Sequence, residues 1–206
     1  MADTTAPQIY LVTPAEFELS IFSDKLQRVL DVTEIACVRL AMATRDEVRI
    51  ARAADALREV MHQRDIALVI AEHQGMVERL GLDGVHLLDG SRNVRAVRKS
   101  LGSDAIIGAF CGTSKHDGMT AAESGADYVA FGPVGATGLG DGSVAELDLF
   151  EWWSEMIEVP VVAEGALTTG TIGDLAAVTD FLGIGDEIWA TEDPAATLAN
   201  FSKLIS

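Results

Sequence analysis

Compact apolar runs alternate with longer stretches of helical periodicity along almost the whole chain. Eight of the runs have the length and composition of strands that are buried on both faces of a parallel sheet. They are Gln8–Val12, Ile35–Leu40, Ala67–Ala71, Gly84–Leu87, Ala105–Ala109, Tyr128–Phe131, Val159–Ala163 and Val178–Leu182. The helical patterns between them are Asp24–Asp31, Arg45–Arg64, Val77–Leu80, Val94–Leu101, Asp117–Ser124, Leu147–Ile157 and Ala195–Leu204. The pattern therefore predicts repeated strand–helix units.

Eight such units in 206 residues predict a single (β/α)8 barrel, a TIM barrel, near the lower size limit of that fold. A doubly wound open sheet is the alternative. That fold usually carries a glycine-rich nucleotide fingerprint after the first strand, whereas this chain has Thr13, Pro14 and Ala15 there. No linker, repeat or low-complexity segment divides the chain. We therefore expect one α/β domain over residues 1–206.

The composition is typical of a folded protein with a core: 49% of the residues are hydrophobic and 23% are charged. No apolar run approaches the roughly 18 residues of a membrane span, and the first residues lack the pattern of a secretory signal. Cys37 and Cys111 are too few and too far apart for a zinc motif or a disulfide framework. These features predict a cytoplasmic protein with no membrane partner.

The net charge of -17 argues against nucleic acid and anionic membranes, because both require a basic surface. The charge is also unevenly distributed. Residues 1–99 hold 13 Lys and Arg against 15 Asp and Glu, whereas residues 100–206 hold only Lys115 and Lys203 against 17 acids. An enzyme that binds phosphates would have to take its cations from the first half.

In barrels of this type the chemistry lies on the loops that follow the strands. The segments that carry candidate chemistry are 39–43, 71–73, 88–91, 110–116, 133–141, 164–169 and 183–187. Around them the sequences LGLDGVHL, DAIIGAFC and ESGADYVAFGPV resemble those of the thiamine phosphate synthase and thiazole tautomerase family. The resemblance extends over nearly the whole chain and is greatest to members with a Glu-Trp-Trp-Ser-Glu helix, here Glu151–Glu155.

The resemblance implies a TIM barrel, a homodimer and a role in thiamine biosynthesis. It also implies a transferase reaction with Mg²⁺ as cofactor: an aminopyrimidine pyrophosphate loses pyrophosphate, and the nitrogen of a thiazole phosphate captures the resulting carbocation. Such an enzyme must stabilise a departing anion with metal and cationic groups, and it must hold a second phosphate on backbone N–H groups.

The residues at the family's functional positions are only partly those of the family. Arg39 is polar at the first position of the pyrophosphate clamp, but Ala41 and Ala43 replace its arginine and lysine. Glu72 and Asp89 are the candidate Mg²⁺ ligands, although Ser91 replaces the aspartate of the second metal position.

The later loops show the same divergence. The candidate catalytic side chains there are Lys115 and His116, which match an Arg-His pair of the subgroup, and Thr137 in a loop without the family's lysine. The candidate phosphate-binding residues are Gly165, Ala166, Gly183 and Gly185. Asp186 and Glu187 place two carboxylates where a phosphate would bind, which opposes an anionic substrate.

These substitutions predict a thiamine phosphate synthase-like small-molecule barrel whose synthase reaction is weak or lost. Mg²⁺ is expected only if the ancestral reaction survives. One alternative is a binding or regulatory paralogue without catalysis. Another is a tautomerase-like enzyme that uses His116 or Glu72 on an uncharged or cationic substrate.

Several of these residues also have structural interpretations. Arg39 could pair with a local acid such as Glu72 or Asp89, and His86 is expected to be a core histidine. Lys115 and His116 could simply begin a helix capped by Ser114. Cys111 is expected to be an inert thiol, and Trp152 and Trp153 are expected to pack or to form a dimer interface.

Overall fold

The computed structural model describes residues 6–205 and contains a closed barrel of eight parallel strands in chain order. The strands are β1 (Gln8–Val12), β2 (Ile35–Leu40), β3 (Ala67–Ala71), β4 (Gly84–Leu87), β5 (Ile106–Phe110), β6 (Tyr128–Phe131), β7 (Val161–Glu164) and β8 (Phe181–Ile184). The predicted (β/α)8 fold is confirmed. The ends of the predicted domain, residues 1–5 and 206, lie outside the described residues.

Helices follow the strands around the outside of the barrel. They are α1 (Leu19–Leu30), α2 (Glu47–Gln63), α3 (Val77–Leu80), α4 (Val94–Leu101), α5 (Lys115–Glu123), α6 (Leu147–Met156), α7 (Thr169–Leu175), α8 (Asp186–Trp189) and α9 (Pro194–Ser202), with a 3-10 turn at Gln74–Met76. None of the helices within residues 6–205 combines the length and apolar character that a membrane span requires.

Some predicted boundaries are wrong. The first five strands differ by at most one residue from the prediction, but β7 and β8 begin two and three residues later than Val159 and Val178. Helix α1 begins five residues before Asp24, and the sequence pattern predicts neither α7 nor α8. The shifts of β7 and β8 matter, because they place Glu164 and Gly183 on strands rather than in loops.

Two apolar layers hold the barrel together. The larger one lies between strands and helices; Trp153 is fully buried in it, and its Nε1 donates to the carbonyl of Val159 at 2.8 Å. This confirms the packing role of Trp153. The second layer fills the barrel interior. Its buried members are Tyr10, Cys37, Val69, Phe110, Tyr128, Ala130 and Val162.

Aspartates fix the end of the barrel at which the strands begin. The side chains of Asp83, Asp127 and Asp180 accept hydrogen bonds from the backbone N–H groups of Leu68, Ile107 and Val161, at 2.7, 2.7 and 2.8 Å. These bonds satisfy backbone donors at the beginning of three strands. Part of the acidity of the second half therefore serves the scaffold.

Candidate functional site

A cavity of about 510 Å³ opens where the strands end, which is where the sequence predicts the chemistry. Apolar side chains from the ends of several strands and the loops after them form much of its wall: Val12, Ala15, Ala41, Ala71, Leu88 and Leu139. The charged side chains of the lining are Arg39, Glu164, Asp186 and Glu187. One cation therefore faces three carboxylates in the part of the cavity that the structure describes.

Arg39 and Glu164 form a buried ion pair in the wall of this cavity. The side chains are 6% and 4% exposed, Arg39 Nη1 lies 3.3 Å from Glu164 Oε1, and a second contact joins Nη2 to Oε2. Burial alone lowers the pKa of the Arg39 guanidinium, but the charge of Glu164 offsets this and raises that pKa above its ordinary value. Arg39 is therefore charged, and its charge is already compensated.

The partner of Arg39 differs from the sequence prediction. Glu72 and Asp89 are exposed and are not its partners, so the local pairing predicted for Arg39 is wrong. The reason is geometric: Arg39 and Glu164 lie near the ends of strands on different sides of the barrel, and both side chains point inward. Gly183 beside Glu164 leaves room for this, since a Cβ there would lie 2.7 Å from the Cβ of Glu164.

The polar atoms of three aromatic side chains, Tyr10, Tyr128 and His86, extend the network of the Arg39–Glu164 ion pair into the barrel interior. Tyr10 Oη and Tyr128 Oη are 2.6 Å apart, and Tyr128 Oη lies 2.9 Å from His86 Nδ1. The other ring nitrogen of His86, Nε2, lies 3.9 Å from Glu164 Oε1. Arg39 also lies over the Tyr10 ring, at 5.5 Å from its centroid. The five side chains form one connected polar cluster inside the barrel.

Burial keeps the rest of this cluster neutral. It lowers the pKa of His86 well below its ordinary value, and the charge of Arg39 lowers it further. Burial also raises the pKa of Tyr10 and of Tyr128. His86 is fully buried, as predicted for a core histidine. Within residues 6–205, its Nε2 and the Nε of Arg39 are the two buried side-chain polar atoms without a hydrogen-bond partner.

The loop after β7 turns sharply at Gly165 and Ala166, which have φ angles of 88° and 58°. A Cβ at position 165 would lie 2.8 Å from the Cβ of Pro133, so only glycine fits there. Ala166 adopts the left-handed conformation despite its side chain, which is unfavourable for an L-residue. The residue that follows the turn, Leu167, donates its backbone N–H to Glu187.

Glu187 accepts hydrogen bonds from two backbone N–H groups. Its Oε1 accepts from the N–H of Leu167 at 3.1 Å, and its Oε2 accepts from the N–H of Gly185 at 2.7 Å. One donor belongs to the loop after β7 and the other to the turn after β8. The carboxylate therefore joins the two loops.

The structure brings six of the ten predicted site residues into the cavity wall: Arg39, Thr137, Gly165, Ala166, Gly183 and Gly185. Lys115, His116, Glu72 and Asp89 do not line it. Lys115 instead lies 4.8 Å from the centroid of the Trp152 ring, and Ser114 caps α5 by accepting from the N–H of Asp117. These contacts favour the helix-start interpretation of Lys115 and His116.

Sequence reasoning missed Glu164, Tyr10 and Tyr128. Segment 164–169 carries candidate chemistry, but nothing local marks Glu164 as the partner of a residue 125 positions earlier. The signal that could have found it is the charge itself: a carboxylate at the end of an otherwise apolar buried strand requires a partner. The two tyrosines follow the inward alternation of their strands.

Cys111 directly follows β5 and is buried. Burial, with a contribution from Asp117, raises the pKa of its thiol to about 12. A thiol with so high a pKa is almost entirely protonated at neutral pH, so it is a poor nucleophile. This agrees with the inert role expected from the sequence.

The chain matches the family model described as thiamine monophosphate synthase over residues 9–180. It belongs to the thiamine phosphate synthase family. Among curated relatives, thiamine-phosphate synthase of Rhodospirillum centenum is 37% identical over 201 residues, which cover 96% of this chain and 97% of the relative. The thiamine-phosphate synthase of Erythrobacter litoralis is 34% identical, with coverage of 97% and 96%.

Solved structures agree on the fold. Thiamine phosphate pyrophosphorylase from Pyrococcus furiosus superimposes with a TM-score of 0.84 at 18% identity, and the match covers 98% of this chain and 96% of that one. A 3-hexulose-6-phosphate synthase superimposes with a TM-score of 0.72 at 15% identity, with coverage of 97% and 100%. These solved structures support the barrel fold. The chemistry depends on the side chains of this chain.

Membership of the thiamine phosphate synthase family raises the question of Mg²⁺. That ion is commonly held by one or two carboxylates together with substrate phosphates. Glu72 and Asp89 are exposed outside the cavity wall, and Asp89 accepts a hydrogen bond from Asn93. Residues 6–205 contain no group of three or more His, Cys, Asp or Glu side chains placed to bind a metal. The two Mg²⁺ ligands expected from the sequence, Glu72 and Asp89, therefore do not lie in the cavity wall.

Proposed function

We propose that this chain binds a small ring compound without phosphate groups, of the pyrimidine or thiazole kind, and that its synthase reaction is weak or lost. The observation that carries this proposal is the neutralisation of Arg39 by Glu164 in the cavity wall. The remaining charged side chains of the described lining are carboxylates.

The charges of the cavity oppose a pyrophosphate. Two like charges 4 Å apart repel each other by about 1 kcal/mol in water and by about 4 kcal/mol near a protein surface. A pyrophosphate carries several negative charges and would meet Asp186 and Glu187 without a free cation from the described lining. Loss of a single stabilising donor at a developing anion can lower a rate by about 10²-fold. In this chain Ala41 and Ala43 occupy the two positions at which the family's pyrophosphate clamp carries cations.

The shape and the polar groups of the cavity suit an uncharged or cationic ring. A volume of about 510 Å³ is within the range of small-ligand pockets, and apolar walls favour an aromatic ring. In the proposed complex, Arg39 Nε donates to a ring nitrogen or carbonyl, because that N–H has no partner within residues 6–205. Thr137 and Leu139, on the loop over the cavity, close against the ring.

Calorimetry with paired ligands tests the proposal. The thiazole alcohol and the aminopyrimidine alcohol are compared with their phosphorylated forms on the full chain. We expect the alcohols to bind at least about tenfold more tightly than the phosphorylated forms. Thr137→Ala should weaken that binding, whereas Thr113→Ala, at an exposed position outside the cavity wall, should not. Tighter binding of the phosphorylated forms would contradict the proposal.

A specific observation supports a second candidate, a proton-transfer enzyme. Glu164 lines the cavity and has His86 Nε2 at 3.9 Å behind it. A tautomerase activity would then use Glu164 rather than His116 or Glu72, which lie outside the cavity wall. Solvent deuterium exchange into a bound ring compound is the measurement. Glu164→Gln should abolish it and His116→Ala should not; loss in the His116 variant alone would reverse that assignment.

We also propose, from family membership, that the chain acts as a homodimer in the cytoplasm. The half-buried Trp152 and the exposed Met156 on α6 support an interface there. Sedimentation of the full chain, compared with the Met156→Glu variant, tests the interface. A dimer that is lost in this variant supports it, and a monomeric wild-type chain contradicts it.

A further inference from the structure

The carboxylate of Glu187 occupies two backbone donors from separate loops. The bond from Leu167 spans 20 positions of the chain and crosses from the β7 loop to the turn after β8. The bond from Gly185 is local. Two N–H groups that converge on one anionic group form a small oxyanion site, because each N–H places partial positive charge at the same point.

The turn that carries Glu187 is firmly anchored. Ile188 is fully buried, and Trp189 Nε1 donates to the carbonyl of Val12 at the end of β1, at 2.7 Å. Asp186 is exposed and no hydrogen bond joins its carboxylate to the described residues. The two neighbouring acids therefore differ: one carboxylate is bound to backbone donors, and the other is a solvated charge in the same cavity wall.

A second observation points to an acceptor group in this cavity. Arg39 is buried, lines the same wall as Glu187, and keeps an Nε without a partner within residues 6–205. Buried donors are nearly always satisfied, so an unsatisfied one next to a cavity indicates a place where an acceptor on a ligand would bind. Glu187 thus satisfies two backbone donors, from Leu167 and Gly185, while the Nε of Arg39 in the same cavity wall as Glu187 has no partner within residues 6–205.

We propose that Glu187 determines the specificity of this cavity by acting as a built-in oxyanion. Its carboxylate takes the two N–H groups that would otherwise bind an oxyanion such as a phosphate monoester. In eight-stranded barrels the loops after the seventh and eighth strands often bind phosphate. This role of Glu187 rests on the proposed function in one respect: it explains why the ligand proposed above lacks a phosphate.

An external phosphate competes poorly with Glu187. To reach the two N–H groups it must displace two charge-assisted hydrogen bonds and come close to the displaced carboxylate. The side chain, being part of the chain, loses no translational freedom on binding, whereas the phosphate does. Removing the Glu187 carboxylate therefore frees the donors and removes the competing charge in one step.

An NMR titration with inorganic phosphate tests this proposal. The amide signals of Leu167 and Gly185 are monitored in ¹⁵N-labelled protein. We expect no saturable shift in the wild-type chain and saturable shifts of both amides in Glu187→Ala, at least about tenfold tighter in affinity. Asp186→Ala is the matched control, since it removes the same charge from the same turn. It should gain no more than about fivefold, which corresponds to about 1 kcal/mol of lost repulsion in solvent-exposed surroundings.

Two results would overturn the idea: equal gains in the two alanine variants, or a folded Glu187→Ala chain that binds no phosphate. If Glu187→Ala does not fold, Glu187→Gln serves, because it keeps the side-chain volume and one acceptor oxygen. The phosphate affinity of Glu187→Gln should exceed that of the wild-type chain and that of Asp186→Asn. An affinity that exceeds neither contradicts the proposal. Synthase turnover in the wild-type chain would refute the proposed function and leave this titration unaffected.

Discussion

Ala166 is one of three non-glycine residues with a positive φ in the part of the chain that the structure describes. Its φ of 58° lies in the left-handed region, which costs an L-residue about 1–2 kcal/mol. Glycine avoids this cost but loses more entropy on folding. We therefore expect Ala166→Gly to raise the free energy of unfolding by about 0.5–1 kcal/mol. Urea denaturation of the variant measures this change.

The neighbouring position supplies the control. Gly165 has φ of 88° and no room for a Cβ, so Gly165→Ala should lower the free energy of unfolding by more than Ala166→Gly raises it. A stabilising Gly165→Ala would show that the turn is not built as described.

The ion pair of Arg39 and Glu164 gives a second prediction at the residue scale. Removal of one partner leaves an uncompensated buried charge or donor, which typically costs about 3–5 kcal/mol. We expect Arg39→Met and Glu164→Gln each to destabilise by about this amount in urea denaturation. The double variant should cost much less than the sum of the two. Strict additivity would mean that the two side chains do not interact.

His86 should make the stability depend on pH. Its pKa in the folded chain lies below the ordinary value of about 6.5, so the unfolded chain takes up the proton first as the pH falls. The free energy of unfolding should therefore fall below pH about 6.5, by up to about 1.4 kcal/mol per pH unit from this group. Unfolding of the wild-type chain and His86→Gln between pH 5 and 7 measures the difference.

The expected result is a shallower slope in His86→Gln. His62, which is exposed on α2, provides the control, and His62→Gln should keep the slope of the wild type. Equal slopes in the wild-type chain and His86→Gln would contradict a buried neutral His86.

At the residue scale, the sequence identified one partner of the buried ion pair, Arg39, but not the other, Glu164. Arg39 could be recognised because the family resemblance places it at the first position of the pyrophosphate clamp. Glu164 could not be assigned to it, since pairing across a barrel depends on the register of strands far apart in the chain. Lys115 and His116 show the opposite case: their residue types suggested chemistry, and the geometry places them at the start of a helix.

Strand β5 accommodates Tyr128 of the adjacent strand through a glycine. A Cβ at Gly108 would lie 2.0 Å from Cζ of the Tyr128 ring, so Gly108→Ala must displace the ring from the barrel interior. Overpacking of this kind costs about 1–3 kcal/mol, and here we expect the upper end because the ring also bonds Tyr10 and His86. Thermal or urea unfolding provides the measurement.

The matched control is the same substitution on α7. Gly173 is exposed, and a Cβ at this position would have no other atom within 4 Å, so Gly173→Ala should stabilise the helix by about 1 kcal/mol. A neutral Gly108→Ala would contradict the packing of the barrel interior.

The elements that sequence reasoning missed have identifiable causes. Gly170 and Gly173 give α7 a low helix propensity, yet Thr168 and Thr171 cap its first turn reciprocally. Helix α1 lacks a side-chain cap at Glu18, so nothing in the local sequence marks its start. Strand β7 starts after Pro160, which has no N–H to contribute to the sheet.

At the scale of the whole molecule, the acidity of the second half has at least two origins. Asp127 and Asp180 hold the barrel where strands begin, and these contacts concern stability. Asp186 and Glu187 lie at the opposite end and line the cavity. The sequence shows the imbalance of charge, and the weaker phosphate binding expected from it stays a prediction. It could not separate the two groups of acids, because only the closed barrel assigns each acid to an end.

Turnover most directly tests the central claim, that a family barrel has been retained while its phosphate site has been neutralised. The full chain receives both phosphorylated substrates and Mg²⁺, beside the Rhodospirillum centenum relative under the same conditions, and pyrophosphate release is followed. We predict a rate lower by at least about 10²-fold, the effect of losing one anion-stabilising donor. A rate equal to that of the relative would contradict the claim.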